Sequence, residues 1–384
     1  MINYFVLVCE GMSDDPVEEL ENKTPLEIAK TPAIDRLANE GVTGGASFVP
    51  RGLPASGDIA LMSILGYDPA EFYTGTAPLD ALGYALTQKD NEIAFRADFV
   101  TVFEEALMDA SSSHISPKES QALIDALNEK LGTGTMRFYS GSGHKNILMV
   151  SDASLTDHLD DLETVSPRTL VGKKITKELP RGKSAETLAA MIDKAKDILE
   201  AHEINRVRID LGENPANFIW LWGQGKRPKL PSFHERFGLQ AALAADTSFA
   251  DGLAKASGIA LASSIGDLPD DRPVGVVYRE YDDEVYRTNN LKSKIKLIED
   301  FDATVVAPVV KRIGDRKDCR ILITTDRAWS REKKSSLHGQ VPFLLWGRGI
   351  APAENNLYSE KAAAGSKLHF DNGHELMEHF LKKI

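Results

Sequence analysis

Residues 326–342 read DRAWSREKKSSLHGQVP, and they belong with Glu10-Gly11-Met12 near the start of the chain. An apolar run, Ile321-Leu322-Ile323, ends in Thr324-Thr325-Asp326, and a second apolar segment begins at Val341. An acid just past a buried strand is how α/β proteins present a metal ligand at the carboxyl edge of a sheet. A histidine beside it would complete a ligand pair. Here residue 327 is an arginine, whose guanidinium stays protonated and cannot ligate a metal. Two further regions carry acids or hydroxyls past apolar runs: Ser56-Gly57-Asp58, at a predicted helix N-terminus that could cradle an anion, and Asp282-Asp283-Glu284. Taken alone, Ser56 and Asp58 read as helix caps and the acids as solvated loop residues. Their joint placement after strands argues for a site. The nine histidines form neither an HExxH pattern nor a His/Cys cluster. His114 in SSSHIS and His338 in LHGQVP stand out, with a backbone-bonded loop histidine as the equal alternative for each.

The elements that must position these residues alternate between strand and helix. Residues 3–9 read as a buried strand closed by Glu10-Gly11. Thr24-Pro25-Leu26-Glu27 opens a helix with a cap, a proline and an acid in the expected places, and Thr31-Pro32 starts a second that stops at Gly41. Residues 50–58 read as a loop leading into a helix over 59–65. Helical periodicity covers 118–131, 185–202, 249–257, 290–314 and 373–383. Strands are expected at 206–211, 274–279, 321–325 and 341–346. Residues 211–237, dense in Gly, Pro and Trp, read as an ordered loop between domains, with Trp220 and Trp222 as a packing wedge. The alternation predicts a mostly parallel sheet flanked by helices and split by a central insertion.

Composition narrows the partners. A net charge of −12 argues against nucleic acid or an anionic membrane as the main partner, but not against a phosphorylated metabolite held in a local basic pocket. Cys9 and Cys319 each adjoin apolar residues and read as buried free thiols in a reducing cytoplasm. The opening residues MINYFVLVCEG lack the basic start of a signal peptide, and no apolar run approaches the ~20 residues of a membrane helix. A cytoplasmic location is expected.

Several longer stretches carry a resemblance. EGMSDDPVEELENKTPLEIAKTPAIDRLANEGVTG, DIALMSILGYDPAEFYTGTAPLDALG, AFRADFVTV, SHIS, GENPANFIWLWGQGKRPKLPSFHERFG, DDE, ITTD and VPFLLWG together resemble the archaeal-type, cofactor-independent phosphoglycerate mutases of the alkaline phosphatase superfamily. The resemblance implies a phosphatase-like α/β domain over 1–72 and 236–384, with a smaller transferase-like α/β domain inserted over 73–235. It implies two divalent ions, manganese or magnesium, and a serine that carries the phosphoryl group between the two hydroxyls of phosphoglycerate. The metals would lower the serine's pKa and neutralise the phosphoryl oxygens.

Matched position by position, that site is depleted. The family's first metal Asp falls on Glu10, and the serine of P-G-S-D falls on Gly57, with Ser56 adjacent. A frequent Asn falls on Leu61. Asp283 and Asp326 match two further metal acids, but their histidine partners fall on Arg287 and Arg327. The remaining histidine ligand falls near Ser336, with His338 two residues off. On the transferase side His114 and Arg96 match, while two family arginines fall on Lys145 and Thr76. Without metals, Glu10, Asp283 and Asp326 would repel one another, and the expectation is that Arg287 and Arg327 replace the ions as fixed cations.

Two readings follow, with the first preferred. In one, the chain is a catalytically degenerate member without a cofactor that binds a small phosphorylated or acidic metabolite or an unknown protein partner. In the other, it is an active mutase using manganese or magnesium at a shifted site, with Ser56 as nucleophile and Glu10, Asp58, Asp283, Asp326 and His338 around the ions. A third chemistry, another phosphoryl or sulfuryl transfer, remains open on the same scaffold.

Overall fold

The computed structural model describes residues 4–269, 271–280, 290–316, 318–331, 333, 335–353 and 357–382. The chain forms two compact units, Met1–Tyr73 with Lys229–Ile384, and Thr74–Pro228. Among the described residues no helix is long and apolar enough to cross a membrane.

The first unit is built on an eight-stranded sheet, in the order Ala260–Ala262, Ala241–Ala245, Val274–Arg279, Tyr4–Cys9, Arg320–Thr325, Val341–Gly347, Val42–Ala46, His369–Phe370. The first five strands are parallel, and Val341–Gly347 runs antiparallel to both its neighbours. Tyr4–Cys9 is central and buried beyond its first residue, which explains its unbroken apolar run. Its register sets Cys9 opposite both Arg279 and Thr325, so Glu10 and Asp326 leave the sheet at the same carboxyl edge. The segments that follow these two strands then pair in a small sheet of Ser13–Asp14, Ala328–Ser330 and Ser335–Leu337. That small sheet fixes the chain just after Arg327, and the large sheet fixes it just before, through Thr325.

Helices cover the large sheet. Thr24 caps Pro25–Ile28 through a full capping box, as its sequence predicts. The helix expected over 290–314 is interrupted: Leu291–Phe301 passes into a π-helical turn, Asp302–Val306, before Ala307–Ile313 resumes. Pro308 explains the break, because a proline cannot donate to the preceding turn and clashes with its carbonyl. Within the π turn the buried Asp302 carboxylate accepts from Ile34 N at 2.7 Å and Ala33 N at 3.2 Å, so it caps the helix Pro32–Asn39. At the opposite edge of the sheet Arg320 is buried against carbonyls: Nε donates to Arg348 O at 2.8 Å, and Nη1 to Phe380 O at 2.7 Å and Lys382 O at 2.9 Å. This ties the last helix, Glu375–Leu381, to the start of the strand that delivers Asp326.

The second unit has its own five-stranded sheet centred on Ile93–Phe103, which pairs with Ala106–Asp109, Lys145–Val150 and Phe218–Gly225, with Met136–Ser142 outermost. The helices Pro117–Leu131 and Ala185–Ala201 bury Leu123, Leu127, Leu188 and Ile192 in its core. Two sequence expectations are corrected here. Residues 206–211 are not a strand: all but Leu211, which caps its end, lie in the helix Glu203–Asp210. Val207, Ile209 and Leu211 mimic strand alternation yet face solvent, while Asn205 and Arg208 point inward. Residues 211–237 are not one loop either, since Phe218–Gly225 is a strand that pairs antiparallel with Ile93–Phe103. Trp220 is accordingly core, 2% exposed, and its indole N–H donates to Val165 O at 2.8 Å.

Candidate functional site

At the carboxyl edge of the large sheet, Arg327 reaches into the acids. Its Nη2 donates to Glu10 Oε1 at 2.7 Å, its Nη1 to Asp326 Oδ2, and its Nε to Ser336 Oγ at 2.9 Å. Asp326 is fully engaged: Oδ1 accepts from Gly11 N and Arg327 N, both at 2.7 Å, and Oδ2 accepts from Tyr278 OH at 3.3 Å. Burial pushes the Tyr278 phenol well above its ordinary pKa, and the Asp326 and Glu10 carboxylates add to the effect. Tyr278 is therefore a neutral donor. The guanidinium bridges two acids that lie 316 positions apart in sequence but one strand apart in space.

Gly57, where the family's serine falls, faces this cluster. A Cβ at this position would lie 2.6 Å from the Tyr278 hydroxyl, 3.0 Å from Arg327 Nη1 and 3.4 Å from Asp326 Oδ2. A side chain at this position would have to displace the Tyr278 hydroxyl or the Arg327 guanidinium. Ser56, the N-cap of the helix Gly57–Ile64, makes no capping bond; its hydroxyl donates instead to Asp58 Oδ1. The Asp58 carboxylate is 3% exposed and also accepts from Tyr73 OH at 2.8 Å and Ile59 N at 3.0 Å. His338 is exposed, and its Nε2 lies 2.8 Å from Leu53 O, so it fastens the loop before Ser56 instead of joining the acids. Asp283 and Arg287 lie outside the described residues.

Beneath the small sheet, Lys294 Nζ faces Asp14 Oδ2 at 3.3 Å in a pocket that leaves their side chains 5% and 0% exposed. Burial lowers the lysine's pKa and raises the aspartate's, which moves both toward neutrality. This pair holds Ser13–Asp14, and through it the Ala328–Ser330 strand next to Arg327.

These residues do not fit a divalent ion. An ion shared by Glu10 and Asp326 would have to stand where the guanidinium now donates to both. Among the described residues no group of three or more His, Cys, Asp or Glu is gathered to hold a metal.

In the second unit, Arg96 is buried, 6% exposed, and its guanidinium is committed. Nε and Nη2 donate to Asp98 Oδ1 at 2.9 and 2.7 Å, and Nη1 to Asp80 Oδ2 at 2.7 Å. It also lies 5.3 Å over the Trp222 ring, whose N–H donates to Asp98 Oδ2. Burial opposes its charge, and Asp98 and Asp80 more than offset this, raising its pKa. His114 is exposed at the end of three successive left-handed residues, Ser112, Ser113 and His114, with φ of 48°, 51° and 53°. Such backbone persists only where the surroundings over-determine it. Here Asp109 accepts from Ser111 N at 2.8 Å, Ser113 N at 2.7 Å and Asn214 Nδ2 at 2.9 Å, while Arg208 donates to Ser112 O. Lys145 opens the strand Lys145–Val150 and is half-buried. The turn before it abuts the His114 loop, since a Cβ on Gly143 would lie 2.7 Å from Ile115 O.

Sequence reasoning missed Tyr278, Tyr73 and the Lys294–Asp14 pair. The one signal for Tyr278 was a phenol near the end of an otherwise apolar strand, VGVVYR.

The family model described as 2,3-bisphosphoglycerate-independent phosphoglycerate mutase matches residues 38–205. A protein of that name from Methanosarcina acetivorans is 32% identical over 94% of both chains. A Geobacter sulfurreducens protein, named a probable enzyme of this kind, is 33% identical over 100% of both. Among solved structures, the cofactor-independent phosphoglycerate mutase of Thermoplasma acidophilum covers 100% of each chain at 25% identity and a TM-score of 0.61. A Pyrococcus horikoshii protein shares the fold, with a TM-score of 0.78 at 24% identity, covering 100% of this chain and 99% of its own.

Proposed function

We propose that this chain, which belongs to the 2,3-bisphosphoglycerate-independent phosphoglycerate mutase family, keeps the family's fold without its phosphoryl transfer and binds a small phosphorylated or acidic metabolite. The observation that carries this reading is that the serine position holds Gly57, where even a Cβ would crowd the Tyr278 hydroxyl at 2.6 Å and Arg327 Nη1 at 3.0 Å. Without a nucleophile there is no covalent step. The binding half of the proposal rests on the second unit, where a rigid strained loop presents His114 beside the turn that carries Lys145. Both can donate to a phosphate or carboxylate, while Arg96, neutralised by two acids, orders the sheet around them. A cytoplasmic small-molecule binder also accords with the net charge of −12.

One observation favours the second reading, an active mutase: the Ser56 hydroxyl donates to the buried Asp58 carboxylate, a pairing that could activate a displaced nucleophile. A single experiment separates the two. Interconversion of 3- and 2-phosphoglycerate is assayed in the presence of manganese with wild type and Ser56→Ala, and 3-phosphoglycerate is titrated by calorimetry into wild type and Lys145→Ala. The expected result is no turnover, with binding weakened about tenfold or more in Lys145→Ala. Turnover that disappears in Ser56→Ala would replace the proposal with the active enzyme.

A further inference from the structure

Glu10 and Asp326 are delivered to one point by adjacent parallel strands, and their side chains are 4% and 0% exposed. Two carboxylates so placed repel one another with little water to screen them, and a cation between them offsets that repulsion. An ion would meet that need from solution. This chain meets it from within: the Arg327 side chain, 12% exposed, extends from the residue next to Asp326 and donates separate N–H groups to each acid.

We infer that Arg327 is a tethered counter-cation that takes the place of a divalent ion, so that the first unit folds without metal and its centre refuses one. This deepens the reading above for the same site. Three observations support it independently of the family comparison. The guanidinium's third edge is also anchored, since Nε donates to Ser336 Oγ at 2.9 Å on a strand of the small sheet. The backbone N–H groups of Gly11 and Arg327 fix the carboxylate of Asp326 on its other oxygen, so the acid cannot swing toward an incoming ion. The Tyr278 hydroxyl, which donates to Asp326 Oδ2 at 3.3 Å, closes the remaining side, and Gly57 supplies the room that the hydroxyl and Nη1 require. A lysine could not do the same, because a single ammonium lacks the flat fork that reaches two acids at once. The chemistry thus selects arginine, and it selects glycine opposite.

The inference is tested on the full chain with manganese as the probe. After equilibration with manganese and gel filtration, wild type should retain close to none by mass spectrometry, and its thermal midpoint should not respond to manganese or to EDTA. Arg327→Ala leaves the acids facing an empty space, so its midpoint should fall in EDTA and recover by roughly 5 °C in millimolar manganese. Should Arg327→Ala not fold, Arg327→His, which supplies a nitrogen ligand, gives the same contrast with wild type. About one manganese held per wild-type chain and lost in Glu10→Gln would overturn the inference, as would an Arg327→Ala protein as indifferent to manganese as wild type. Metal bound by wild type without mutase turnover would sink this inference alone and leave the functional reading standing. Turnover lost in Ser56→Ala would remove that reading whatever the metal content.

Discussion

The most informative single position is Gly57, whose backbone is ordinary and whose missing side chain is the point. Restoring the family's serine there should not restore chemistry. Gly57→Ser places a Cβ 2.6 Å from the Tyr278 hydroxyl and 3.0 Å from Arg327, and overpacking of this kind costs about 1–3 kcal/mol. Urea denaturation should register that loss, and the mutase assay should stay silent. Tyr278→Phe removes the offending oxygen, so the double variant should recover part of the loss; strict additivity would show that the two positions do not meet. At this scale the sequence was half legible. Glu10, Asp326 and Arg327 were read together because the resemblance matched them to one metal site; in the structure Arg327 donates to both acids. The plug was not legible, because Tyr278 lies within a strand whose other residues only announce burial. Nor could spacing reveal that His338, two residues from the expected ligand position, would turn to the Leu53 carbonyl.

At the scale of elements, the loop that carries His114 shows how a local anchor holds strained backbone. Burial opposes ionisation of Asp109, and donors from Asn214, Ser111 and Ser113 outweigh it, holding its pKa at about 2 against an ordinary 3.8. A carboxylate with a depressed folded-state pKa stabilises the fold fully above the ordinary value. That contribution is lost as pH falls through about 2. Asp109→Asn should therefore cost about 2 kcal/mol near neutrality, and its deficit relative to wild type should shrink below pH ~4. A deficit that does not change with pH would mean that the carboxylate's charge is not what holds the loop. Helix starts were legible where the cap was explicit, as at Thr24. They were illegible where the apolar pattern misled, as over 206–211, whose Val and Ile face water on a helix that buries Asn205 and Arg208. The strand Phe218–Gly225 was hidden among glycines and prolines that mark its ends and not its middle.

Across the whole molecule, the two units have separate sheets and separate cores. Unfolding should then depart from a single two-state transition, with a calorimetric enthalpy larger than the van't Hoff value; equality of the two would show that the units melt as one. The division also sets an order of assembly. The sheet of the second unit lies wholly within Thr74–Pro228 and is complete once that stretch leaves the ribosome. Tyr4–Cys9, made first, must wait for partners supplied by Val274–Arg279 and Arg320–Thr325. The last of these is itself fastened through Arg320 to the carbonyls of Phe380 and Lys382. At ~5–20 residues per second, the chain beyond the second unit takes roughly ten to thirty seconds to synthesise. For that interval the nascent protein consists of a finished insert and an unpaired apolar strand. The Arg327 centre is among the last parts of the molecule to exist, and the unpaired first strand is where a chaperone has most to protect.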